Sequence, residues 1–155
     1  MTAEPNRLLL VNGPNLNLLG SREPALYGTA TLSDVEKLAA ETAAEFGLEM
    51  RTVQSNHEGA LIDSIHDSRV DCCGLVINPG AFSHTSIALA DALAAIDLPV
   101  AEVHITNIHR REAFRHHSYV SAVANMVIAG AGVLGYQLAV RYLADQVLIG
   151  KGCRP

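Results

Sequence analysis

A chain of 155 residues, 49% of them hydrophobic and 17% charged, has the size of one globular domain, residues 1–155, burying roughly 68–70% of its unfolded surface; two full domains are excluded. Aromatic residues are only 5% and tryptophan is absent, so the core must be built from Ala, Val, Leu and Ile packed between close layers. A formal net charge of -5 argues against a nucleic-acid binder, whose affinity comes largely from Lys and Arg neutralising phosphates.

In chain order, Leu8–Val11 is an apolar strand run, and Leu32, Val35, Leu38, Ala39, Ala43 and Phe46 recur at helical spacing behind Thr31. Leu48–Val53 alternates as a strand, and Ser55 with Glu58 suggests a capping box opening a helix through Leu61, Ile62 and Ile65. Gly74–Ile77 is a third strand, Ser83–Ala95 a third helix and Val100–Val103 a fourth strand. A short helix over Arg111–Arg115 follows, then a strand at Met126–Ile128 and a final helix over Val133–Leu148. Five strand–helix steps predict an α/β fold: a five-stranded parallel sheet, flavodoxin-like in order, with helices on both faces.

No window reaches the ~18 apolar residues of a membrane helix, and Met1–Pro5 is too short and polar for a secretory signal. No membrane association and a cytoplasmic location are expected. Cys72, Cys73 and Cys153, an odd number with one adjacent pair, fit a reduced compartment and small buried thiols. The segments Met1–Asn6 and Gly150–Pro155 read as loose tails.

Ligands of open α/β sheets bind at the carboxyl ends of the strands. Here those ends read Asn12-Gly13-Pro14-Asn15, Gln54-Ser55-Asn56-His57, Asn78-Pro79-Gly80 and Glu102-Val103-His104-Ile105-Thr106. The connection Asn12–Gly28 is long enough to be functional or mobile, and it carries Arg22 and Tyr27. Arg22 could simply pair with Glu23. A guanidinium beside the phenol would instead favour its ionised form and make Tyr27 a general base under a lid that excludes water.

Glu102 and His104, two apart on a strand, share a face. The carboxylate can orient the imidazole and favour its protonated form, as a general acid needs, or the pair is only structural. His84 stands at the mouth of a helix whose free N–H groups, with Thr85 and Ser86, would welcome an anion; a plain helix cap is the alternative. Arg111 and Arg115, four apart, would share a helical face suited to a carboxylate. His109, His116 and His117 lack a completing cluster, so no metal site is expected. Neither the P-loop nor the dinucleotide fingerprint is present, and only Lys37 and Lys151 are available as amines, neither at a strand end. The inventory suits proton transfer on a small polar anion.

Taken as a series, these residues resemble the type II 3-dehydroquinate dehydratases. The resemblance rests on Asn12-Gly13-Pro14-Asn15-Leu16-Asn17-Leu18-Leu19-Gly20, Arg22-Glu23-Pro24 and Tyr27-Gly28, then Gln54-Ser55-Asn56 and Glu58-Gly59. It continues through Asn78-Pro79-Gly80-Ala81, His84-Thr85-Ser86, Glu102–Asn107, Arg111-Glu112 and Phe114–Ser118.

The resemblance implies trans dehydration of 3-dehydroquinate to 3-dehydroshikimate through an enolate, without metal or organic cofactor. The reaction belongs to the shikimate pathway to chorismate and aromatic amino acids, and also serves quinate catabolism. By the same resemblance Tyr27 removes the C2 proton, Arg22 holds and activates it, and Asn15 positions a water on the enolate. His104 protonates the departing C1 hydroxyl and Glu102 orients it. Asn78, His84, Ile105, Thr106 and Arg115 hold substrate, Arg111 is a weaker candidate near the lid, and Asp91 reaches a neighbouring subunit's site. A homo-oligomer, a dodecamer of four trimers, is implied. The competing reading is a flavodoxin-like protein binding a flavin or another small anion at the same strand ends, or a lyase acting on another polyol acid.

Overall fold

The computed structural model describes residues 5–150. Its sheet has five parallel strands, β1 (Arg7–Asn12), β2 (Glu49–Gln54), β3 (Cys72–Asn78), β4 (Val100–His104) and β5 (Met126–Ala129), in the order β2-β1-β3-β4-β5. This is the flavodoxin-like order expected from the alternating pattern. Five α-helices accompany it: α1 (Pro24–Tyr27), α2 (Leu32–Ala44), α3 (Glu58–Asp71), α4 (Ile87–Ala94) and α5 (Leu134–Gly150).

Successive strand side chains point to opposite faces, so an uninterrupted apolar strand requires cover on both sides. Leu8 and Leu10 pack with Val35, Ala39, Tyr136 and Val140 of α2 and α5. Leu9 and Val11 pack with Leu61, Ile65, Leu89 and Leu93 of α3 and α4. All four β1 side chains from Leu8 to Val11 are 0% exposed, each contributing roughly 1.5–3 kcal/mol of burial. Cys72 is also buried, and burial together with the adjacent Asp71 carboxylate pushes its thiol up to about 12. It is an inert small side chain. Cys153, Lys151 and most of the two expected tails lie outside the described residues.

Local chemistry moves several expected boundaries. Thr31 caps α2 as anticipated, accepting from the Asp34 N–H at 3.2 Å while Asp34 Oδ2 accepts from the Thr31 N–H at 2.8 Å. The Ser55–Glu58 box does not form. His57 is the N-cap residue of α3 and Ser55 lies two residues before it, so its hydroxyl accepts the His57 N–H at 3.0 Å and shapes a turn.

The expected helix Ser83–Ala95 is divided into a 3-10 segment, Gly80–His84, and α4. Ser86, extended at φ -100 and ψ 94, accepts from the Leu89 N–H at 2.9 Å and starts the helix afresh. The short helix expected over Arg111–Arg115 is present only as a 3-10 turn over its second half. Two single 3-10 turns, Ile108–Arg110 and Ala113–Arg115, flank Arg111, whose backbone is extended at φ -106 and ψ -167. Asn107 opens the first of these turns as its N-cap, its side chain accepting the His109 N–H at 3.1 Å.

The register places the polar strand ends together, with Asn12 opposite Asn78 and Ile77 opposite Glu102. The Gly13 N–H donates to the Asn78 carbonyl at 2.8 Å. At this crossing the backbones are so close that a Cβ on Gly13 would lie 2.2 Å from the Pro79 carbonyl oxygen. Gly13→Ala should therefore lower stability by at least ~2 kcal/mol, since neither backbone can yield without losing the crossing. Urea denaturation midpoints of the two proteins measure this, and an unchanged midpoint would refute the account.

Candidate active site

The loops after β1, β3 and β4 enclose a cleft of about 180 Å³, below the range of about 300–1,000 Å³ typical of drug-sized ligands. Ten of the twelve residues singled out from the sequence line it: Asn15, Arg22, Tyr27, Asn78, His84, His104, Ile105, Thr106, Arg111 and Arg115. Glu102 is absent from the lining and sits behind His104 at 0% exposure. Asp91 is exposed on α4 and does not reach the cleft of its own chain.

The floor is held from behind. Tyr136 of α5, fully buried, donates its hydroxyl to Asn12 Oδ1 at 2.8 Å and accepts from Asn78 Nδ2 at 2.8 Å. Burial pushes its phenol up, so it remains a neutral group able to do both. Asn78 Oδ1 accepts the Gly80 N–H at 3.1 Å, which fixes the loop after β3. Asn15 is left-handed at φ 68, and its N–H is held by Asn56 Oδ1 at 2.9 Å. The polar end of β2 thus supports the loop after β1, with Gln54 Nε2 donating to the Gly13 carbonyl at 3.2 Å.

At the rim, Tyr27 ends the single turn of α1, entered through a left-handed Glu23 at φ 40. Arg22 and Arg111 both lie 5.5 Å from the Tyr27 ring centroid, within cation–π reach. Only Arg111 touches the hydroxyl, donating from Nη1 at 2.8 Å. Arg22 is 3.9 Å from Glu23, so both sequence alternatives for it have a geometric counterpart, while the guanidinium on the oxygen comes from Arg111. The side chain of Arg111 is 14% exposed against 40% for Arg22, and the Arg111 carbonyl accepts from His116 Nε2 at 2.8 Å. Helical spacing with Arg115 did not identify this contact; the extended Arg111 backbone between two turns provides it.

At the end of β4, His104 Nε2 meets Glu102 Oε1 at 2.7 Å, as the two-residue spacing required. Ser118 donates to the same oxygen at 2.5 Å, and Ser121 donates to Oε2. Burial acts to raise the Glu102 carboxyl, but hydrogen bonds from His104, Ser118 and Ser121 outweigh it and hold the group below the ordinary carboxylate range. Neither serine was singled out from sequence for this contact, because an isolated Ser carries no periodicity and meets Glu102 only through tertiary folding.

His84 Nδ1 donates to the His117 carbonyl at 2.8 Å. The N–H groups of Thr85 and Ser86 are already bonded to the Phe82 carbonyl. Those two N–H groups are therefore not available to an anion, and only His84 of the three residues reaches the cleft. Arg115 is held by Glu112 at 3.0 Å. The cleft can accept a small anion through its guanidinium groups and offers a phenol and a carboxylate-backed imidazole for proton transfer.

The dehydroquinase class II family profile matches residues 6–144. A protein of Aspergillus flavus called "Catabolic 3-dehydroquinase 2" is 60% identical over 141 residues, 91% of this chain and 94% of that one. A "3-dehydroquinate dehydratase" of Cereibacter sphaeroides is 59% identical over 138 residues, 89% of this chain and 94% of that one. The crystal structure of a type II dehydroquinase from Propionibacterium acnes superposes with TM-score 0.87 at 46% identity, over 90% of this chain and 97% of the other.

The Glu102 environment has a pH consequence. A carboxyl held below its unfolded value stabilises the fold above that value, and the contribution is lost as pH falls through the folded value. Stability should accordingly decline as pH drops below the ordinary value of 4.5. Glu102→Gln should be less stable near neutrality and show a shallower acid decline. Urea midpoints across a pH series test this; parallel slopes for the two proteins would contradict it.

Proposed function

The chain belongs to the class II dehydroquinases, a family of hydro-lyases, and from that premise we propose that it removes water from 3-dehydroquinate to give 3-dehydroshikimate. The observation that carries this reading is the pairing, in one cleft, of a cation-flanked Tyr27 hydroxyl with a His104 backed by a buried carboxylate.

In this scheme the Tyr27 oxygen, as phenolate, takes the proton from C2 of the substrate, and the C–H electron pair moves toward the adjacent C3 ketone, whose oxygen takes up the negative charge of the enolate. Arg111 on the oxygen and Arg22 beside the ring favour negative charge there. Asn15 holds a water against the enolate oxygen. His104 delivers a proton to the C1 hydroxyl, the C–O bond breaks, the double bond forms and water departs. Proton loss and hydroxyl departure are trans. Glu102 orients the ring and steadies its protonated form until the proton is delivered.

Arg115, with Asn78, His84, Thr106 and the backbone at Ile105, holds the carboxylate and hydroxyls of the substrate; bidentate guanidinium contact suits a carboxylate. Two Asn78 side-chain bonds are already spent on Tyr136 and Gly80, leaving its second amide hydrogen and the remaining carbonyl lone pair. The exposure of Asp91 on α4 fits a reach into another subunit's cleft within a dodecamer of four trimers. Similar relatives carry both a catabolic and a general dehydratase name, and the chemistry serves shikimate synthesis and quinate breakdown alike. No step in the scheme calls on a metal or organic cofactor.

The decisive assay mixes purified protein with 3-dehydroquinate and follows the ultraviolet absorbance of the conjugated enone. Tyr27→Phe should lower kcat by about 10²–10⁴ with KM within a few-fold, because only the proton acceptor is removed. His104→Ala should likewise act on kcat more than on KM. Absence of turnover in the wild-type protein, joined to a bound flavin spectrum, would replace this reading with the flavin-binding one.

A further inference from the structure

The two imidazoles of the cleft are held by one short segment in the connection between β4 and β5. His84 leans on the His117 carbonyl through Nδ1 at 2.8 Å. His104 leans on Glu102, whose oxygens are in turn held by Ser118 and Ser121. The segment is tied down between these contacts: the Tyr119 N–H donates to the Ser83 carbonyl at 2.8 Å, and Val120 is 0% exposed within the α3–α4 core. The Ser121 N–H also reaches Ser118 Oγ at 3.4 Å, which turns the Ser118 proton toward the carboxylate.

An ionised carboxylate only accepts, and its two oxygens offer about four lone-pair sites. Here Oε1 receives His104 Nε2 and Ser118 Oγ, while Oε2 receives Ser121 Oγ. With three donors directed at it, the group has no proton to give to the imidazole. Nε2 of His104 must then carry the hydrogen in that contact, and Nδ1 is the ring nitrogen left for proton exchange. The same logic at a carbonyl, which also only accepts, puts the hydrogen of His84 on Nδ1 and leaves its Nε2 for the ligand.

We propose that residues 117–121 form a positioning strap that sets the tautomer and direction of both cleft imidazoles, with Ser118 and Ser121 acting on His104 through Glu102. Ser118 and Ser121 touch neither substrate nor the reacting atoms. They are positioning residues for the dehydration described above, and the inference rests on that reading for its kinetic arm alone.

Ser121 is only half buried, so replacing it opens no core cavity, and the cost of the change is the lost bond to Glu102. In Ser121→Ala, kcat for 3-dehydroquinate should fall about 10-fold with KM within about 2-fold, the scale of one charge-assisted hydrogen bond. Ser121→Thr, which keeps the hydroxyl, should recover to within about 3-fold of wild type, whereas Ser121→Cys, nearly the same shape but a weak donor, should resemble Ala. Nitrogen-15 histidine NMR of the wild-type protein supplies a readout independent of activity: neutral His104 should carry its proton on Nε2 and neutral His84 on Nδ1. Unchanged kcat in Ser121→Ala, a change confined to KM, a Thr variant as impaired as Ala, or the opposite tautomer at either histidine would each overturn the proposal. Failure of the wild-type protein to turn over 3-dehydroquinate would remove the assigned reaction, while the tautomers would still decide the strap.

Discussion

A carboxylate with no exposed surface is the constraint around which this cleft is organised. Moving such an ion out of water costs several kcal/mol even after relaxation, and Glu102 can be tolerated at the end of β4 only because three donors converge on it. That requirement explains the shape of the chain after β4. A continuous helix from Ile108 to Ala122 would run about 22 Å at 1.5 Å per residue and carry Ser118 and Ser121 away. Three single 3-10 turns, at Ile108–Arg110, Ala113–Arg115 and Val120–Ala122, bring them back instead.

Charge in the cleft runs opposite to charge overall. The chain carries a net -5, yet Arg22, Arg111 and Arg115 all face one concavity, where low-dielectric walls strengthen their field. The three are not equivalent. Arg115 is tethered to Glu112, and Arg111, itself 3.7 Å from Glu112, is braced on the Tyr27 hydroxyl and largely enclosed. Arg22, more exposed and 3.9 Å from Glu23, is the loosest. Left-handed backbone at Asn15 and Glu23 shapes the same wall, and non-glycine residues in that region store strain of order 1–3 kcal/mol each.

The layered fold was legible from apolar runs and their periods because burial on both faces leaves a direct record in residue type. Leu8–Val11 and the Val35–Ala39–Ala43 stripe needed no tertiary information. The pair Glu102–His104 was legible for a similar reason, since a two-residue spacing on a strand fixes a shared face. What failed were features decided by competing side chains: Ser55 serving a turn, Ser86 restarting a helix and Asn107 opening a separate short turn before Arg111. Arg111 on Tyr27 spans 84 residues of sequence, and Ser121 on Glu102 spans 19. Neither contact has a local pattern. The motif series nonetheless placed Arg111 among the candidates, though behind Arg22.

The Tyr136 hydroxyl bridges Asn12 and Asn78 across 124 and 58 residues. Since β1 and β3 are synthesised long before α5, the amides at their ends have no phenol to join them while the chain is still emerging. The binding floor is therefore completed last, when the final helix docks, and a chain ending before that helix would lack both this bridge and the apolar cover that α5 lays over Leu8 and Leu10.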